Sequence, residues 1–484
     1  MESVLTRKRR IVMAAQKYRH EPLTALNHHL DLNWMSEAYR RVRKDAAPGV
    51  DGQTVAEYGE NLVENLRDLL DRVKSGSYQA PPVKRAYVPK NEKEDRPIGL
   101  PTVEDKVLQR AVAMILEPIY EQEFLPFSFG FRPGRSQHQA LDYLREQCFE
   151  QKVQWVLEVD LRKFFDTVGH REMQELLGRR VQDGVINRLV AKWLKAGVWE
   201  KGNVSYPEKG TPQGGVISPL LSNIYLHEVL DKWFVESVQP ACGGRTFMVR
   251  FADDFIMGFE RLEDVQKVQR VIAKRFARFG LEINIEKTRL VRFGRPPRGG
   301  ARPGEKPETF DFLGFTHYWG KSRSGHNVVK KKTAAARFRR TLHGIWEWGL
   351  KNRHLPMKEQ QQKLNQKLRG HDAYYGVTDN YRMLSELRWQ VAKMWRKWLG
   401  RRNRGGPPNW EKFQGMLRVF PLTPARIVTP KCNEPTPRGT VCLNWARTDL
   451  WGASSGLRAR RPYPGTSFNA ITAARQKARV WDWP

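Results

Sequence analysis

The chain is poor in cysteine, in long apolar runs and in acidic residues relative to basic ones. Its four cysteines, Cys148, Cys242, Cys432 and Cys442, include no Cys-x-x-Cys pair. That spacing argues against a disulfide framework or a zinc ribbon, and for free thiols in a reducing compartment. No stretch of roughly 18 apolar residues occurs, so no membrane-spanning helix is expected. The opening MESVLTRKRRIVMAAQKY holds too short and broken an apolar run for a signal peptide. A soluble, cytoplasmic protein of bacterial type is the expectation. The shortage of acids is the sharpest of these lacks: 52 Asp and Glu face 84 Lys and Arg, a formal net charge of +32. Such a balance calls for a polyanionic partner, with nucleic acid first. A basic membrane-surface protein would need an amphipathic helix or lipid anchor, and no convincing candidate is present.

What is present is a folded chain. Of 484 residues, 40% are hydrophobic and 11% aromatic, enough to bury a large core across several domains. Residues 1–80 have helical patterning, with Leu62, Leu66, Leu69, Leu70 and Val73 at helical spacing. Residues 81–320 mix strands and helices. Val103, Val107, Leu108, Ala111, Val112 and Ile115 mark a helix, and Gln154 to Val159 an apolar strand that ends on Asp160. Phe247 to Phe251 and Phe255 to Phe259 are apolar runs around Ala252-Asp253-Asp254, the pattern of a hairpin with a polar tip. Residues 331–400 are expected to be helical. After residue 405 the pattern weakens into a basic segment rich in Pro and Gly, a candidate DNA-binding tail. The expected divisions are therefore 1–80, 81–320, 321–404 and 405–484.

Nucleotidyl transfer needs divalent cations held by hard oxygen ligands on rigid elements. Asp253-Asp254 at a hairpin tip and Asp160 at a strand end supply three such carboxylates if the strands are neighbours. Adjacent Asp residues in a turn are common for conformational reasons alone. The acid at the end of an apolar strand and the charge of +32 turn the balance toward a cation site. Phosphate tracks are expected at Lys330, Lys331 and Lys332 with Arg337, Arg339 and Arg340, and at Arg396, Lys397, Arg401, Arg402 and Arg404. Trp346, Trp348 and Trp389 are candidates for base stacking, while Trp395 and Trp398 fit an apolar helical stripe.

A series of blocks carries a family likeness: RPIGLP (96–101), FGFRPGRS (129–136), VDLRKFFD (159–166), GTPQGGVISPLLSNIYL (210–226), FADD (251–254), GLEINIEKTRLV (280–291) and FDFLGF (310–315). In this order the chain resembles the reverse transcriptases encoded by group II introns, from about residue 46 to 320. HDAYYGVTDNYRML (371–384) resembles the maturase, or thumb, region of the same family. The resemblance implies an α+β right-hand polymerase fold: fingers, a palm of antiparallel sheet plus helices, and a helical thumb/maturase domain. It implies RNA-directed DNA polymerase activity with two Mg2+ ions, for which Mn2+ can substitute. An RNA template, a DNA primer, dNTPs and structured intron RNA are the implied partners.

By the same resemblance, Asp160, Asp253 and Asp254 are catalytic and metal-binding, with the Leu161 carbonyl as a further metal ligand. Lys90 and Arg96 match triphosphate-binding positions. Phe165 matches the aromatic that excludes a 2′-hydroxyl by shape. Gln213 matches a nucleotide or template contact, beside Gly214 and Gly215. Lys287 and Gly314 match positions near the nucleotide and the primer end. Phe251 departs from the Tyr of many members, and no endonuclease pattern of paired Cys and His follows residue 405. Three other readings stay open: a non-catalytic RNA-binding splicing factor, a domesticated reverse transcriptase in phage defence or spacer acquisition, and an RNA-dependent RNA polymerase. Phe165 disfavours the last. The oligomeric state is left open.

Overall fold

The computed structural model describes residues 3–89, 95–210, 214–297, 307–401 and 406–428, all within a unit spanning 1–432. Its strands are β1 (Val83–Pro89), β2 (Asp95–Leu100), β3 (Trp155–Val159), β4 (Val198–Glu200), β5 (Asn203–Ser205), β6 (Thr246–Phe251), β7 (Asp254–Phe259), β8 (Arg289–Arg292), β9 (Phe310–Phe312), β10 (Phe315–Lys321) and β11 (Asn327–Thr333). They form three sheets, ordered β2-β1-β4-β5, β6-β7-β3-β8 and β11-β10-β9.

The second sheet is antiparallel at every joint and is buried on both faces. Leu157, Met248, Phe255 and Met257 face the larger core, with the helices of the N-terminal half. Val156, Phe247, Val249, Ile256 and Val291 face a second core with Phe310, Phe315 and Val329. Side chains alternate between the faces of a strand. When both faces meet a core, the sequence becomes a nearly unbroken apolar run, which is why β3, β6 and β7 stood out. Truncating one of these side chains, Leu157→Ala for instance, should cost roughly 2–5 kcal/mol.

The helix Val103–Tyr120 is buried almost all round, as a central helix should be. Thr102 caps it, its side chain accepting from the Asp105 amide. Asp105 is 1% exposed. Tyr78 donates its hydroxyl to Asp105 Oδ1, and Trp193 Nε1 donates to the same oxygen at 3.3 Å. Two neutral donors do not offset the loss of water, and burial raises this carboxyl to about 7.

Three helices, Ala335–Asn352, Met357–Tyr375 and Tyr381–Gly400, follow the third sheet around a third core that includes Trp395 and Leu399. The chain begins its helical part later than expected. Residues 327–333 are strand β11, so the basic run Lys330-Lys331-Lys332 lies on a strand, and its side chains point alternately to opposite faces. Among the described residues, no helix is long and apolar enough to cross a membrane.

A raised Asp105 means that the folded state holds a proton the unfolded chain has already released. Its stabilising contribution is complete below about pH 4 and lost as pH climbs through 7. Asp105→Asn keeps the acceptor oxygen and removes the charge. Its melting temperature should exceed the parent's by roughly 2–5 °C at pH 8 and approach it toward pH 4. Thermal melts across that range check this, and a constant difference would contradict it.

Candidate active site

β3 and β7 run antiparallel in a register that sets Val159 opposite Phe255. The next position brings Asp160, just past the end of β3, beside Asp254, the first residue of β7. β6 and β7 are joined by a two-residue turn, Ala252-Asp253, with Phe251 paired to Asp254. Asp254 therefore belongs to the strand rather than to the tip. Two-residue hairpins need a positive φ at their first turn residue, ordinarily Gly. Ala252 takes that conformation at φ 58°.

Beyond Asp160 the chain pairs with the approach to β8. Asn284 N donates to the Asp160 carbonyl at 2.8 Å, and Arg162 N donates to the Glu282 carbonyl at 2.8 Å. Peptide groups alternate sides along a strand. The Leu161 carbonyl therefore points the other way, to the β7 side where Asp253 and Asp254 lie.

The electrostatics of the three acids are those of like charges held together. Crowding by protein first, and then the Asp253 and Asp160 charges, raise Asp254 to about 6 against the opposing charges of Arg337 and Arg96. Asp254 still reaches solvent at its outer edge, so its shift comes from dense protein on the remaining sides. Asp253 is raised as well, first by burial and then by Asp160, against its own backbone amide and Arg96. Lys287 Nζ stands 3.5 Å from Asp160 Oδ2. Among the described residues, no three or more His, Cys, Asp or Glu side chains stand together closely enough as they are to hold a metal ion. The donor set nevertheless fits a hard divalent cation: three carboxylates that repel one another, with a carbonyl turned toward them. Magnesium fills its remaining positions with water and substrate phosphate.

The other predicted residues fall in several places. Arg96 lies on β2, near enough for its charge to act on both Asp253 and Asp254. Phe165 is half-buried on the short helix Phe164–Thr167, its ring 5.4 Å from that of Phe164. Gly214 has φ 113°, and a Cβ there would meet the Gly99 carbonyl and Ile98 of β2 at 2.5 Å. Gly314 sits in the two-residue turn between β9 and β10, and its carbonyl accepts from Ala334 N at 3.0 Å. Lys90 and Gln213, with Arg402 and Arg404, lie outside the described residues.

The basic track needs one revision. Lys330 and Lys332 share a face of β11, with Arg339 and Arg340 exposed on the following helix. Lys331 points to the opposite face, is 6% exposed and pairs with Asp142 at 2.7 Å. The alternation of the strand removes it from the track. Arg337 is exposed like Arg339 and Arg340, yet close enough for its charge to act on Asp254, Tyr374 and Tyr375.

Sequence reading passed over one group at the site. Arg250, fully buried in β6, donates to Asp231, Asn223 and the Ala252 carbonyl. A single charge in the apolar run Phe247–Phe251 was the signal that could have found it.

Comparison with known proteins agrees with this geometry. Residues 88–317 match the family described as reverse transcriptase (RNA-dependent DNA polymerase). Residues 335–414 match the group II intron, maturase-specific domain. Protein YkfC of Escherichia coli (strain K12) is 35% identical over 295 residues, covering 53% of this chain and 76% of that protein. The chain belongs to the group II intron reverse transcriptase/maturase family. The group II intron-encoded protein LtrA of Lactococcus lactis subsp. cremoris is 41% identical over 174 residues, 36% of this chain and 28% of LtrA. A 91 kDa protein in the cob intron of Schizosaccharomyces pombe is 35% identical over 177 residues, 37% of this chain and 21% of that protein. The chain thus spans most of YkfC but under a third of the intron-encoded relatives. The reverse transcriptase has a right-hand polymerase fold, and its maturase domain sets it apart from the domesticated alternative.

In EDTA at pH 7.5, Asp254→Asn should be at least as stable as the parent, because it removes a carboxylate raised to about 6. The difference should be small, since the group reaches solvent, and should vanish toward pH 4 as the parent takes up its proton. Saturating Mn2+ should reverse the order, raising the parent's melting temperature more than the variant's. A variant less stable than the parent in EDTA, or stabilised by Mn2+ to the same extent, would contradict the reading.

Proposed function

We propose that this reverse transcriptase copies RNA into DNA at the Asp160, Asp253 and Asp254 cluster, and that it binds structured intron RNA to assist splicing. The observation that carries the catalytic part is the strand register that sets Asp160 beside Asp254, with Asp253 next to it in the turn. Bound divalent cations, Mg2+ or Mn2+, would lower the pKa of the primer 3′-hydroxyl and neutralise the triphosphate and its leaving group. Asp160, Asp253 and Asp254 would hold them, with the Leu161 carbonyl as a further oxygen.

The other residues do simpler work. Arg96 presents a planar fork to phosphate oxygens, and Lys90 a point charge. Phe165 rejects a 2′-hydroxyl by occupying its space and offering it no hydrogen bond. Gly214 lets the backbone lie against β2, and Gln213 contacts nucleotide or template. Lys287, close to Asp160, sets a positive charge where triphosphate charge gathers. Lys330, Lys332, Arg339 and Arg340 contact phosphates of the hybrid, whose A-like shape is read through its backbone. The intron-RNA part rests on the maturase-domain match and the charge of +32.

Primer extension on an RNA template tests the catalytic part. Asp253→Ala should lose several kcal/mol of transition-state stabilisation, roughly a thousandfold in rate or more. Unchanged extension would defeat the assignment. Phe165→Val should raise incorporation of ribonucleotides relative to deoxyribonucleotides by roughly tenfold, measured by parallel single-nucleotide additions. An unaltered ratio would reduce Phe165 to packing.

A further inference from the structure

The turn that presents Asp253 and Asp254 rests on a buried polar network. Arg250 and Asp231 are both 0% exposed. Arg250 Nε donates to Asp231 Oδ1 at 2.8 Å and Nη2 to Asp231 Oδ2 at 2.6 Å, a two-pronged pair. That fixes the plane of the guanidinium. Nη1 then donates to Asn223 Oδ1 at 2.9 Å and to the Ala252 carbonyl at 3.0 Å. Asn223 Nδ2 donates to the Gly130 carbonyl at 2.7 Å. Gly130 lies so close beneath the turn that a Cβ would stand 2.2 Å from Ala252 N.

Asp231 comes from a wide π-helical segment, His227–Asp231, that continues the helix Ser218–Leu226. Such segments gather at functional sites. Burial alone would raise the Asp231 carboxyl, but Arg250 and His227 hold it below its ordinary value.

A buried ion pair is a weak way to stabilise a fold, because apolar side chains of the same volume do as well or better. What an apolar pair cannot do is hold a carbonyl. The carbonyl in question belongs to the residue before Asp253, which is left-handed without being glycine. We infer that Arg250 is a positioning residue: clamped by Asp231 and Asn223, it holds the Ala252 carbonyl, and so aims the Asp253 and Asp254 carboxylates at a shared cation. This inference rests on the metal-binding reading of those acids. Lysine cannot replace the arginine, since one ammonium cannot bracket Asp231 and reach the turn as well.

Two variants test this. Arg250→Lys keeps a positive charge for Asp231. The double variant Arg250→Met with Asp231→Leu replaces the pair by apolar groups and leaves no unpaired charge. Binding of Mn2+ to the full-length protein is followed through loss of the free-ion EPR signal, beside affinity for an RNA–DNA duplex and primer extension. Loss of a group that orients metal ligands lowers metal affinity and rate by roughly 10- to 100-fold. Both variants should show that loss while retaining parental duplex affinity. Parental Mn2+ affinity in either folded variant would overturn the inference. So would duplex affinity and Mn2+ affinity falling together in both, which would make the network a general packing element. Asp253→Ala in the same assay separates the two failures. If it too binds Mn2+ like the parent, the metal reading itself has failed. If it binds weakly while the Arg250 variants bind normally, only the positioning role has failed.

Discussion

Three like charges share the end of one apolar sheet, and everything else at the site follows from holding them there. Burial, and then the Asp253 and Asp160 charges, make the ionised form of Asp254 costly. A protein keeps such an arrangement when a cation relieves it. The antiparallel register of β3 and β7, fixed by two buried faces, makes the arrangement rigid. A slip of one residue would exchange the two faces and break both cores, so the positions of Asp160 and Asp254 are secured by apolar packing distant from any chemistry.

The cationic side chains are distributed around this negative centre in a graded way. Lys287 approaches Asp160 directly, Arg96 and Arg337 act from farther away, and Arg250 is tied up beneath. Only the last is saturated with protein partners and has no freedom to meet a substrate. The others stand where a triphosphate and a nucleic-acid strand would bring further negative charge. This division between a fixed support below and exposed cations around fits an enzyme whose substrates are polyanions and whose domain matches are to reverse transcriptases and maturases.

Much of this was legible in the chain itself. Asp160 was visible because it ends an apolar run, and the doublet because it interrupts two others. Gly214 was visible as a glycine in a block of turn formers, and β2 does pass within contact of it. The errors have physical causes. Lys331 was read as one of three equivalent lysines because the run was taken as helical. On a strand, period two sends it inward to Asp142. Arg250 was overlooked because a charge in a hydrophobic strand contributes nothing to a hydrophobic pattern. Its meaning depends on Asp231 and Asn223, which lie on another element, and no local pattern announces that contact. Arg337 is exposed with its neighbours, and nothing in the local sequence signals that its charge reaches Asp254.

The central claim is that Asp160 and Asp253 hold the same cations. Anomalous diffraction from crystals soaked in Mn2+, grown with an RNA template, a dideoxy-terminated DNA primer and an incoming dNTP, addresses it directly. The account predicts manganese peaks in contact with both carboxylates and with the triphosphate. A bound triphosphate with no metal density at these two residues, or metal held elsewhere in the chain, would contradict it.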